Sequence, residues 1–496
     1  MEARQAPVPV SPQHFIAVDL GAGSGRVMLG SLAAGSLTLV ESHRFQNRPL
    51  RLGDTLRWDI DTIEREVRTG IEGARAAAAP AVVRGIGVDS WGVDYVLMDA
   101  EGHPVVAPYH YRDARTEGVM ERLSGSVGRW EIFRRTGIQF VPFNTLYQLA
   151  AQDAECLKRA ERLLMTADYF GHRLGGGQTG EVTLASTSQM VDARRRDWSD
   201  ELLKLAGLQH VRPLLAELVE AGTRTGQYGD VPVIATASHD TASAVVGCPG
   251  RGTDWAFLSS GTWMLLGVEL SAPALTREAL EANLSNELGI AGTTRLLRNI
   301  MGLWLLQQCQ EDWNEAGLNY TWERVVAEAE QSQPLSVVID PDDGRFFTPG
   351  GMTGKIDAFC RQTGQAPPSD PGAMARAVLE SLALKCRWVL ERLEEVTGRR
   401  IRTINMIGGG VQNRLLCRMT AEATGRRVVA GPVEATAAGN VLTQAIGVGA
   451  VSSLTEAREI LTRSFETVEY EPGGVGTEWD EAYGRLEEML DRKEGL

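Results

Sequence analysis

The chain has 496 residues, of which 43% are hydrophobic and 23% charged, values that are ordinary for a globular protein of two to four domains. Its formal net charge of −14 disfavours binding to nucleic acid, and no apolar run approaches the ~20 residues that a membrane span requires. The six cysteines are widely spaced and form no C-x-x-C pair. This predicts free thiols in a reducing cytoplasm, not disulfides or a zinc site.

The first part of the chain is predicted to open with a β-hairpin. Residues 1–13 lack the continuous apolar segment of a signal peptide and are expected to be a flexible tail. An apolar strand at 15–20 leads into a glycine-rich turn, after which strand-like alternation resumes. The pattern then predicts a helix at 60–79, two strands joined by a turn within 82–98, mainly helices at 119–174, and a buried strand at 231–237 that leads into a helix from 242.

The same order of elements begins again after a Pro/Gly-rich break at 249–252. The pattern predicts strands at 255–258 and 263–270 around a small polar turn, helices over much of 275–330 and 371–397, a strand at 402–407, a helix at 412–424 and a helical tail after 451. The repeated strand–turn–strand opening predicts two α/β lobes, residues 14–250 and 251–496, with a ligand cleft between them.

The turn Asp19-Leu20-Gly21-Ala22-Gly23-Ser24-Gly25-Arg26 is the first candidate site. Glycines let such a turn present converging backbone amides, which form a cradle for phosphate, and Asp19 has the oxygen ligands that Mg²⁺ prefers. A tight hairpin with a solvated arginine is the alternative interpretation. The dinucleotide-binding pattern fails because Arg26 replaces a glycine and no helix follows, and no P-loop sequence occurs in the chain.

The segment Ser238-His239-Asp240-Thr241 is the second candidate site, because it follows a buried strand and begins a helix. The helix dipole favours an ionised carboxylate there, so Asp240 and His239 together offer a base and a hydrogen-bonding partner for a hydroxyl group. An ordinary N-cap aspartate beside a structural histidine explains the same residues.

Four further segments are weaker candidates. The turn at 259–262 is either a second phosphate-binding turn or a plain hairpin turn, and Gly408-Gly409-Gly410 is either an adenine platform or a close-packed turn. Trp91-Gly92 places a ring and a bare backbone at a strand end, which suits a sugar but also suits a core. Asn299 precedes an apolar helical run and is also interpretable as a helix N-cap.

The order of these motifs resembles that of the FGGY carbohydrate kinases, in the actin/Hsp70/sugar-kinase superfamily. The resemblance runs from about residue 15 to about residue 448 and includes Asp-Ser-Trp-Gly-Val-Asp at 89–94, Ser-His-Asp-Thr at 238–241, Ser-Ser-Gly-Thr at 259–262 and Asn-Ile-Met-Gly-Leu-Trp at 299–304. It implies two actin-like, ribonuclease H-like lobes around an interdomain cleft. It also implies site residues: Asp240 as catalytic base; Gly92, His239, Asp240, Thr241 and Asn299 toward the sugar; and Ala22, Gly23, Ser24, Gly25, Arg26, Thr262, Gln307 and Gly409 toward ATP. One departure is Gly23, where related enzymes often have serine.

The resemblance implies transfer of the γ-phosphate of ATP, with Mg²⁺, to the 1-hydroxyl of L-rhamnulose, giving L-rhamnulose 1-phosphate and ADP in L-rhamnose catabolism. Alternatives are a kinase for L-fuculose, D-xylulose or glycerol, and a non-kinase actin-fold ATPase, which has no need of a sugar-facing His-Asp-Thr. A nicotinamide dehydrogenase would require a strand-to-helix glycine turn, which this sequence lacks. The expected partners are a sugar and a nucleotide, without nucleic acid or membrane, and the expected assembly is a monomer or small homo-oligomer.

Overall fold

The computed structural model describes residues 11–473 and 476–494. Most of the predicted tail, residues 1–10, lies outside the described residues, and Gln13 already begins the first strand. Among the described residues, no helix combines the length and the apolar character needed to cross a membrane.

Strands of the first half form one large sheet and several two-stranded sheets. They are β1 (Gln13–Leu20), β2 (Ser24–Ala33), β3 (Ser36–Gln46), β4 (Leu50–Leu52), β5 (Thr55–Arg57), β6 (Val83–Ser90), β7 (Tyr95–Met98), β8 (Arg162–Met165), β9 (Thr179–Glu181), β10 (Val191–Asp192), β11 (Asp197–Trp198), β12 (Glu217–Val219), β13 (Arg224–Tyr228) and β14 (Val231–Ile234).

The second half has its own large sheet. Its strands are β15 (Trp255–Ser260), β16 (Trp263–Leu270), β17 (Ser285–Leu288), β18 (Thr294–Met301), β19 (Thr403–Ile407), β20 (Arg427–Ala430) and β21 (Val468–Tyr470).

Helices cover the sheets and fill the connections between strands. Those of the first half are α1 (Ile60–Ala78), α2 (Val119–Val127), α3 (Arg129–Thr136), α4 (Thr145–Ala150), α5 (Ala154–Arg159), α6 (Thr166–Arg173), α7 (Val182–Ser186), α8 (Asp200–Leu205) and α9 (Asp240–Val246). Those of the second half are α10 (Arg277–Glu281), α11 (Trp304–Glu315), α12 (Trp322–Gln331), α13 (Met352–Gln362), α14 (Pro371–Thr397), α15 (Arg414–Thr424), α16 (Ala435–Gly447), α17 (Leu454–Ser464) and α18 (Thr477–Glu494). Short 3₁₀ turns occur at Ala114–Thr116, Gln209–Leu214, Gly344–Phe346 and Gly409–Gln412.

The two large sheets share six strands in one order, and the second sheet has an additional antiparallel strand, β17, at its edge. The first has the order β13-β14-β6-β1-β2-β3, and the second has the order β17-β18-β16-β15-β19-β20-β21. In each, three antiparallel strands (β1 to β3; β15, β16 and β18) are followed by two parallel strands (β6 and β14; β19 and β20) and an antiparallel edge strand (β13; β21). This is the ribonuclease H-like arrangement, and it confirms the predicted pair of α/β lobes, called here the N-terminal and C-terminal lobes.

The two strands predicted within 82–98 are present as β6 and β7, although β7 pairs with β8 and not with β6. One sequence prediction about local structure is wrong. The segment 275–330 is not mainly helical at its start, since β17 and β18 extend the second sheet there. Asn299 accordingly lies in β18 and is not a helix N-cap; α11 begins five residues later, at Trp304.

One helix of the C-terminal lobe packs on the sheet of the N-terminal lobe. Apolar residues of α16, including Val441 and Ala445, share a core with Phe15 and Met28. The same helix crosses α9 so closely that a Cβ on Gly439 would lie 1.8 Å from the carbonyl oxygen of Ser243. Only glycine permits this approach. The helix that begins with Asp240 is therefore held against the other lobe.

Candidate active site

A cleft of about 580 Å³ lies between the lobes and receives residues from both. Every site residue predicted from the sequence lines this cleft except Gly25. Gly25 faces the ring of Phe45, where a Cβ would lie 2.3 Å from the nearest ring carbon, so its role is in packing. The structure thus brings together Ala22, Gly23, Ser24, Arg26, Gly92, His239, Asp240, Thr241, Thr262, Asn299, Gln307 and Gly409.

The first glycine turn carries a charged pair at its base. Asp19 and Arg26 are directly opposite each other in the β1–β2 hairpin, and their side chains form an ion pair at 2.5 Å. Arg26 also pairs with Glu434 of the C-terminal lobe. Burial opposes the charge of Arg26, but these carboxylates outweigh it and raise the pKa of the guanidinium. Arg26 is therefore a link between the lobes and not the solvated arginine of a plain hairpin.

The conformation of this turn is supported by a residue that the sequence analysis missed. The side-chain amide of Asn47 donates to the carbonyl oxygen of Gly21 at 3.1 Å, and its backbone N–H donates to that of Gly23 at 3.1 Å. A Cβ on Gly23 would meet nothing within 4 Å. Asn47 thus fixes the turn through the carbonyl oxygens of Gly21 and Gly23, and the space that a side chain at Gly23 would occupy is open.

Asp240 is the first residue of α9 and faces the cleft. The N-cap position belongs to His239, so the interpretation of Asp240 as a capping residue is wrong. Its Oδ1 accepts a hydrogen bond from Oγ1 of Thr241 at 3.1 Å and lies 3.4 Å from Nε2 of His239. Burial raises the pKa of Asp240, and His239 partly offsets that rise. A raised pKa makes a carboxylate a better proton acceptor.

A second carboxylate, Asp89, lies beside the first glycine turn. Asp89 is fully buried and is paired in register with Asp19 on the neighbouring parallel strand. Its Oδ2 accepts a hydrogen bond from Asn440 of the C-terminal lobe at 2.6 Å. Burial and the nearby charge of Asp19 hold the pKa of Asp89 well above its usual range. The carboxylates of Asp19 and Asp89 therefore lie close together beside the first glycine turn.

Beside the first glycine turn, where the N–H of Trp91 donates to the carbonyl oxygen of Leu20, part of the cleft has the composition of a sugar site, with apolar rings and a few fixed polar groups. Gly92 adjoins Thr187, and a Cβ at Gly92 would lie 2.9 Å from its Oγ1. The next residue, Val93, has a φ of +66°, which is strained for a β-branched side chain. Its N–H donates to Thr187 Oγ1 at 3.1 Å, and its carbonyl oxygen accepts from Thr145 Oγ1 at 2.6 Å. Strain held in this way is common at ligand sites.

Polar residues in this part of the cleft are held by buried partners. Oε1 of Gln139 accepts from both the backbone N–H of Asn299, at 2.8 Å, and its side-chain amide, at 3.0 Å. The Trp91 ring donates to Asp94 Oδ2 at 3.0 Å, and Trp58 donates to the same oxygen at 2.6 Å. Burial raises the pKa of Asp94 to about 6 although these hydrogen bonds oppose the shift. The residues facing the ligand are thus oriented before it binds.

Aromatic rings from both lobes close the rim of the cleft. Tyr111 and Phe143 of the N-terminal lobe meet Trp263 of the C-terminal lobe. The buried guanidinium of Arg112 lies 4.0 Å from the ring centre of Trp304 and donates to the carbonyl oxygen of Phe347. A cation over aromatic faces, shielded from water, is an attractive contact.

Two uncharged turns of the C-terminal lobe face the cleft. Thr262 Oγ1 lies 3.5 Å from Gln307 Oε1, beside the turn between β15 and β16. Gly408 has a φ of +86°, and a Cβ at Gly410 would lie 2.0 Å from Ser260 Oγ, so both positions require glycine. At Gly409 a Cβ would meet nothing within 4 Å. This leaves a bare backbone surface exposed to the cleft, suited to a flat ring.

Models of protein families match both lobes of the chain. The N-terminal domain of the FGGY family of carbohydrate kinases matches residues 14–247, and the C-terminal domain of the same family matches residues 256–448. The chain belongs to the FGGY family of carbohydrate kinases. It is therefore an enzyme of the sugar-kinase class, for which ATP is the co-substrate implied by the family.

Individual relatives cover nearly the whole chain. This FGGY kinase is 40% identical to a rhamnulokinase of Bacteroides thetaiotaomicron over 482 residues, which cover 95% of this chain and 98% of the relative. It is 43% identical to a rhamnulokinase of Pectobacterium carotovorum subsp. carotovorum, with 93% of each chain covered. The sequence resemblance to this family is thus confirmed.

Solved structures agree on the fold. A gluconate kinase from Lactobacillus acidophilus has a TM-score of 0.78 at 15% identity, covering 98% of each chain. Plasmodium falciparum glycerol kinase with ADP has a TM-score of 0.77 at 15% identity, covering 97% of this chain and 98% of that chain. These likenesses confirm the two-lobed fold class predicted from the sequence.

The sequence analysis missed several residues around the cleft of this FGGY kinase. Glu287 and Gln139 line it, and Arg295, Glu434 and Asn440 support residues in it. Glu434 and Asn440 lie in the segments Gly-Pro-Val-Glu-Ala at 431–435 and Gly-Asn at 439–440, which also resemble the FGGY kinases. Glu287 and Arg295 lie in a stretch predicted as helical, so no local signal pointed to them.

Proposed function

We propose that this kinase transfers the γ-phosphate of ATP to the 1-hydroxyl of L-rhamnulose, giving L-rhamnulose 1-phosphate and ADP in L-rhamnose catabolism. The observation that carries the proposal is the position of Asp240, which faces the same cleft as the glycine turns and the aromatic rings. The rhamnulokinases that are 40% and 43% identical to this chain support the choice of sugar.

Asp240 acts as the general base. It accepts the proton of the 1-hydroxyl as that oxygen attacks the γ-phosphorus and the bond to the ADP oxygen breaks. Phosphoryl transfer depends mainly on positioning and on charge balance, because the transition state is loose. The raised pKa of Asp240 suits a base, and closure of the two lobes on the substrates would exclude water, which otherwise competes as acceptor.

Two different groups of cleft residues bind the two substrates. Gly92, His239, Thr241 and Asn299 contact the sugar, and the strained Gly92–Val93 backbone with its fixed rings supports this assignment. The turn at 22–26, with Thr262, Gln307 and Gly409, contacts ATP. Within that turn we assign a contact role to Ala22, Gly23, Ser24 and Arg26 and a packing role to Gly25, because Phe45 fills the space beside it.

A magnesium ion fits beside the carboxylates near the first glycine turn. Mg²⁺ prefers oxygen ligands and commonly takes one or two carboxylates together with phosphate oxygens and water. Asp19 lines the cleft, and Oδ1 of the neighbouring Asp89 is buried without a hydrogen-bond partner among the described residues. Asp19 would hold the ion, supported by Asp89 on the neighbouring strand. When bound, Mg²⁺ would balance the negative charge of the phosphates.

Three further assignments belong to the same proposal. The domain boundary lies at residues 250–251, between the two large sheets. The enzyme acts in the cytoplasm, in keeping with six free cysteines, five of them buried. It binds a sugar and a nucleotide, without nucleic acid or membrane, as a monomer or small homo-oligomer.

The deciding measurement is ADP release with Mg-ATP against L-rhamnulose, L-fuculose, D-xylulose and glycerol, with the Asp240→Asn protein in parallel. Turnover with L-rhamnulose alone, dependent on Asp240, is the expected result. Turnover with another acceptor alone would keep the kinase and replace the proposed substrate. Absence of sugar-stimulated turnover with all four acceptors would refute the proposal.

A further inference from the structure

His239 lies between two carboxylates that come from different lobes. Its Nε2 is 3.4 Å from Oδ1 of Asp240, and its Nδ1 is 3.2 Å from Oε2 of Glu287. His239 precedes α9 in the N-terminal lobe, whereas Glu287 belongs to β17 of the C-terminal lobe. A 180° flip of the imidazole would turn ring carbons toward the two carboxylates in place of the nitrogens, so the ring has a single preferred orientation.

Glu287 itself is paired with a buried arginine. It stands directly opposite Arg295 in the antiparallel β17–β18 pair, and the two side chains form an ion pair at 3.2 Å. Both side chains are almost fully buried, at 5% and 1% exposure. Arg295 also donates to the carbonyl oxygen of Leu288 at 3.2 Å and lies 3.3 Å from Nδ1 of His239. Although burial opposes its charge, Arg295 and then His239 lower the pKa of Glu287, which keeps it ionised.

The strand that carries Glu287 is docked against the N-terminal lobe. β17 is the edge strand of the second sheet, yet all four of its residues are buried. The backbone N–H of Asn286 donates to the carbonyl oxygen of Gly137 at 2.8 Å, and that of Leu288 donates to Ser186 Oγ at 3.0 Å. This edge therefore places Glu287 at a defined point across the cleft from Asp240.

We propose that Glu287 is a positioning residue for Asp240, acting through His239, so that the C-terminal lobe orients the catalytic base of the N-terminal lobe. This inference rests on the proposed function, in which Asp240 is the base. The buried Glu287–Arg295 pair is not expected to stabilise the fold by itself, because the desolvation penalty of two buried charges often exceeds the energy of their attraction. A functional role for the pair is therefore a better explanation of its presence. Orientation of the base is a task for which this arrangement is suited, since a misplacement of about 1 Å can cost on the order of 10²-fold in rate.

The test is steady-state kinetics of Glu287→Gln with Mg-ATP and L-rhamnulose. Glutamine keeps the size of the side chain and removes its charge. We expect kcat to fall roughly 10–10²-fold while KM for ATP and for the sugar stay near their original values, because the defect lies in the orientation of the base. A rise in the sugar KM with kcat preserved would overturn the proposal, since it would make Glu287 a direct sugar ligand. Wild-type kinetics would also overturn it.

The route through His239 is tested by a double variant. In His239→Gln the new amide can reach Asp240 in place of Nε2 but no longer contacts Glu287. If Glu287 acts through His239, the double variant is no slower than the slower single variant; additive losses would overturn this route. The matched control is Glu380→Gln, which removes another buried, arginine-paired glutamate that does not line the cleft. It should lose stability but not kcat.

Two further measurements distinguish a folding defect, or a failure of the proposed function, from a failure of the positioning role. If Glu287→Gln unfolds, His239→Gln decides: a loss of kcat with the sugar KM preserved supports the proposal, whereas unchanged kcat, or a rise in the sugar KM alone, overturns it. The wild-type protein is measured first, because failure of L-rhamnulose to stimulate its ADP release would count against the proposed function and not against the contact of Glu287 with His239.

Discussion

The sheets of the two lobes have six strands in the same order but end these equivalent strands in different residues. In the N-terminal lobe, β1 and β6 end beside Asp19 and Asp89, and β14 leads to His239 and Asp240. In the C-terminal lobe, β15 ends at the Ser-Ser-Gly-Thr turn and β19 ends at the triple glycine. Ligands of open α/β sheets bind at the carboxyl ends of the strands. The comparison teaches that the equivalent strand ends carry the acid–base residues in one lobe and uncharged turns in the other, whereas the charged Glu287 of the C-terminal lobe comes from the edge strand β17.

The largest expected effect is at the carboxylate of the N-terminal lobe that begins α9. Asp240→Asn should lower kcat on the order of 10²–10⁴-fold, because the amide cannot accept the hydroxyl proton. The matched control is Asp370→Asn at the start of α14 in the C-terminal lobe, where the carboxylate is a true N-cap that accepts from the N–H of Ala373 at 2.9 Å. Asp370→Asn should leave kcat unchanged. Equal effects of the two variants would contradict the proposed difference between the lobes.

The glycines of the C-terminal lobe should separate into structural and ligand-facing positions. Gly408→Ala should destabilise the protein by roughly 1–2 kcal/mol, because alanine is strained at a φ of +86°. Gly409→Ala meets no atom within 4 Å and should retain its stability. It should instead raise KM for ATP about fivefold, equivalent to a loss of about 1 kcal/mol in binding. Thermal unfolding and ATP titrations of both variants test this; a reversed pattern would contradict the assignment.

Buried carboxylates of the N-terminal lobe should make stability depend on pH. The folded pKa of Asp94 is about 6, above the ordinary value of 3.8, so between these values the folded state holds the proton more tightly than the unfolded state. Stability from Asp94 is therefore present at pH 5 and lost as pH rises through 6. From pH 7 to pH 5 this amounts to about 1 kcal/mol. Asp94→Asn should flatten this part of the unfolding free-energy profile; an unchanged slope would contradict the shift.

The smallest expected effect concerns the first glycine turn. Gly23→Ser adds a hydroxyl where a Cβ meets nothing within 4 Å. One added hydrogen bond to a phosphate oxygen would strengthen ATP binding by roughly 0.5–1 kcal/mol, without an effect on kcat. Calorimetric titration with an ATP analogue measures the change. Weaker binding would mean that the turn requires glycine at this position for its backbone conformation.

Local patterns predicted much of the fold correctly. The hairpin at the glycine turn is present as β1 and β2, the helix predicted at 60–79 is α1, and that predicted at 371–397 is α14 with the same bounds. These elements have strong periodicity and clear end signals, such as the N-cap Asp370 and the C-terminal Gly398 of α14. Short strands were harder to predict from the sequence. The four residues of β17, for example, acquire their strand structure by pairing with β18 and by docking on the other lobe.

The sequence by itself determined the order of motifs, and with it the family, the two lobes and the motif residues that line the cleft. Only the tertiary structure decided which of those residues meet. Arg26 pairs with Glu434, Asn440 donates to Asp89, and Glu287 contacts His239, all between lobes and across long stretches of chain. The physical reason is that a glycine turn or a helix end depends on neighbouring residues, whereas the partner of a buried charge depends on how two sheets and the helices between them pack.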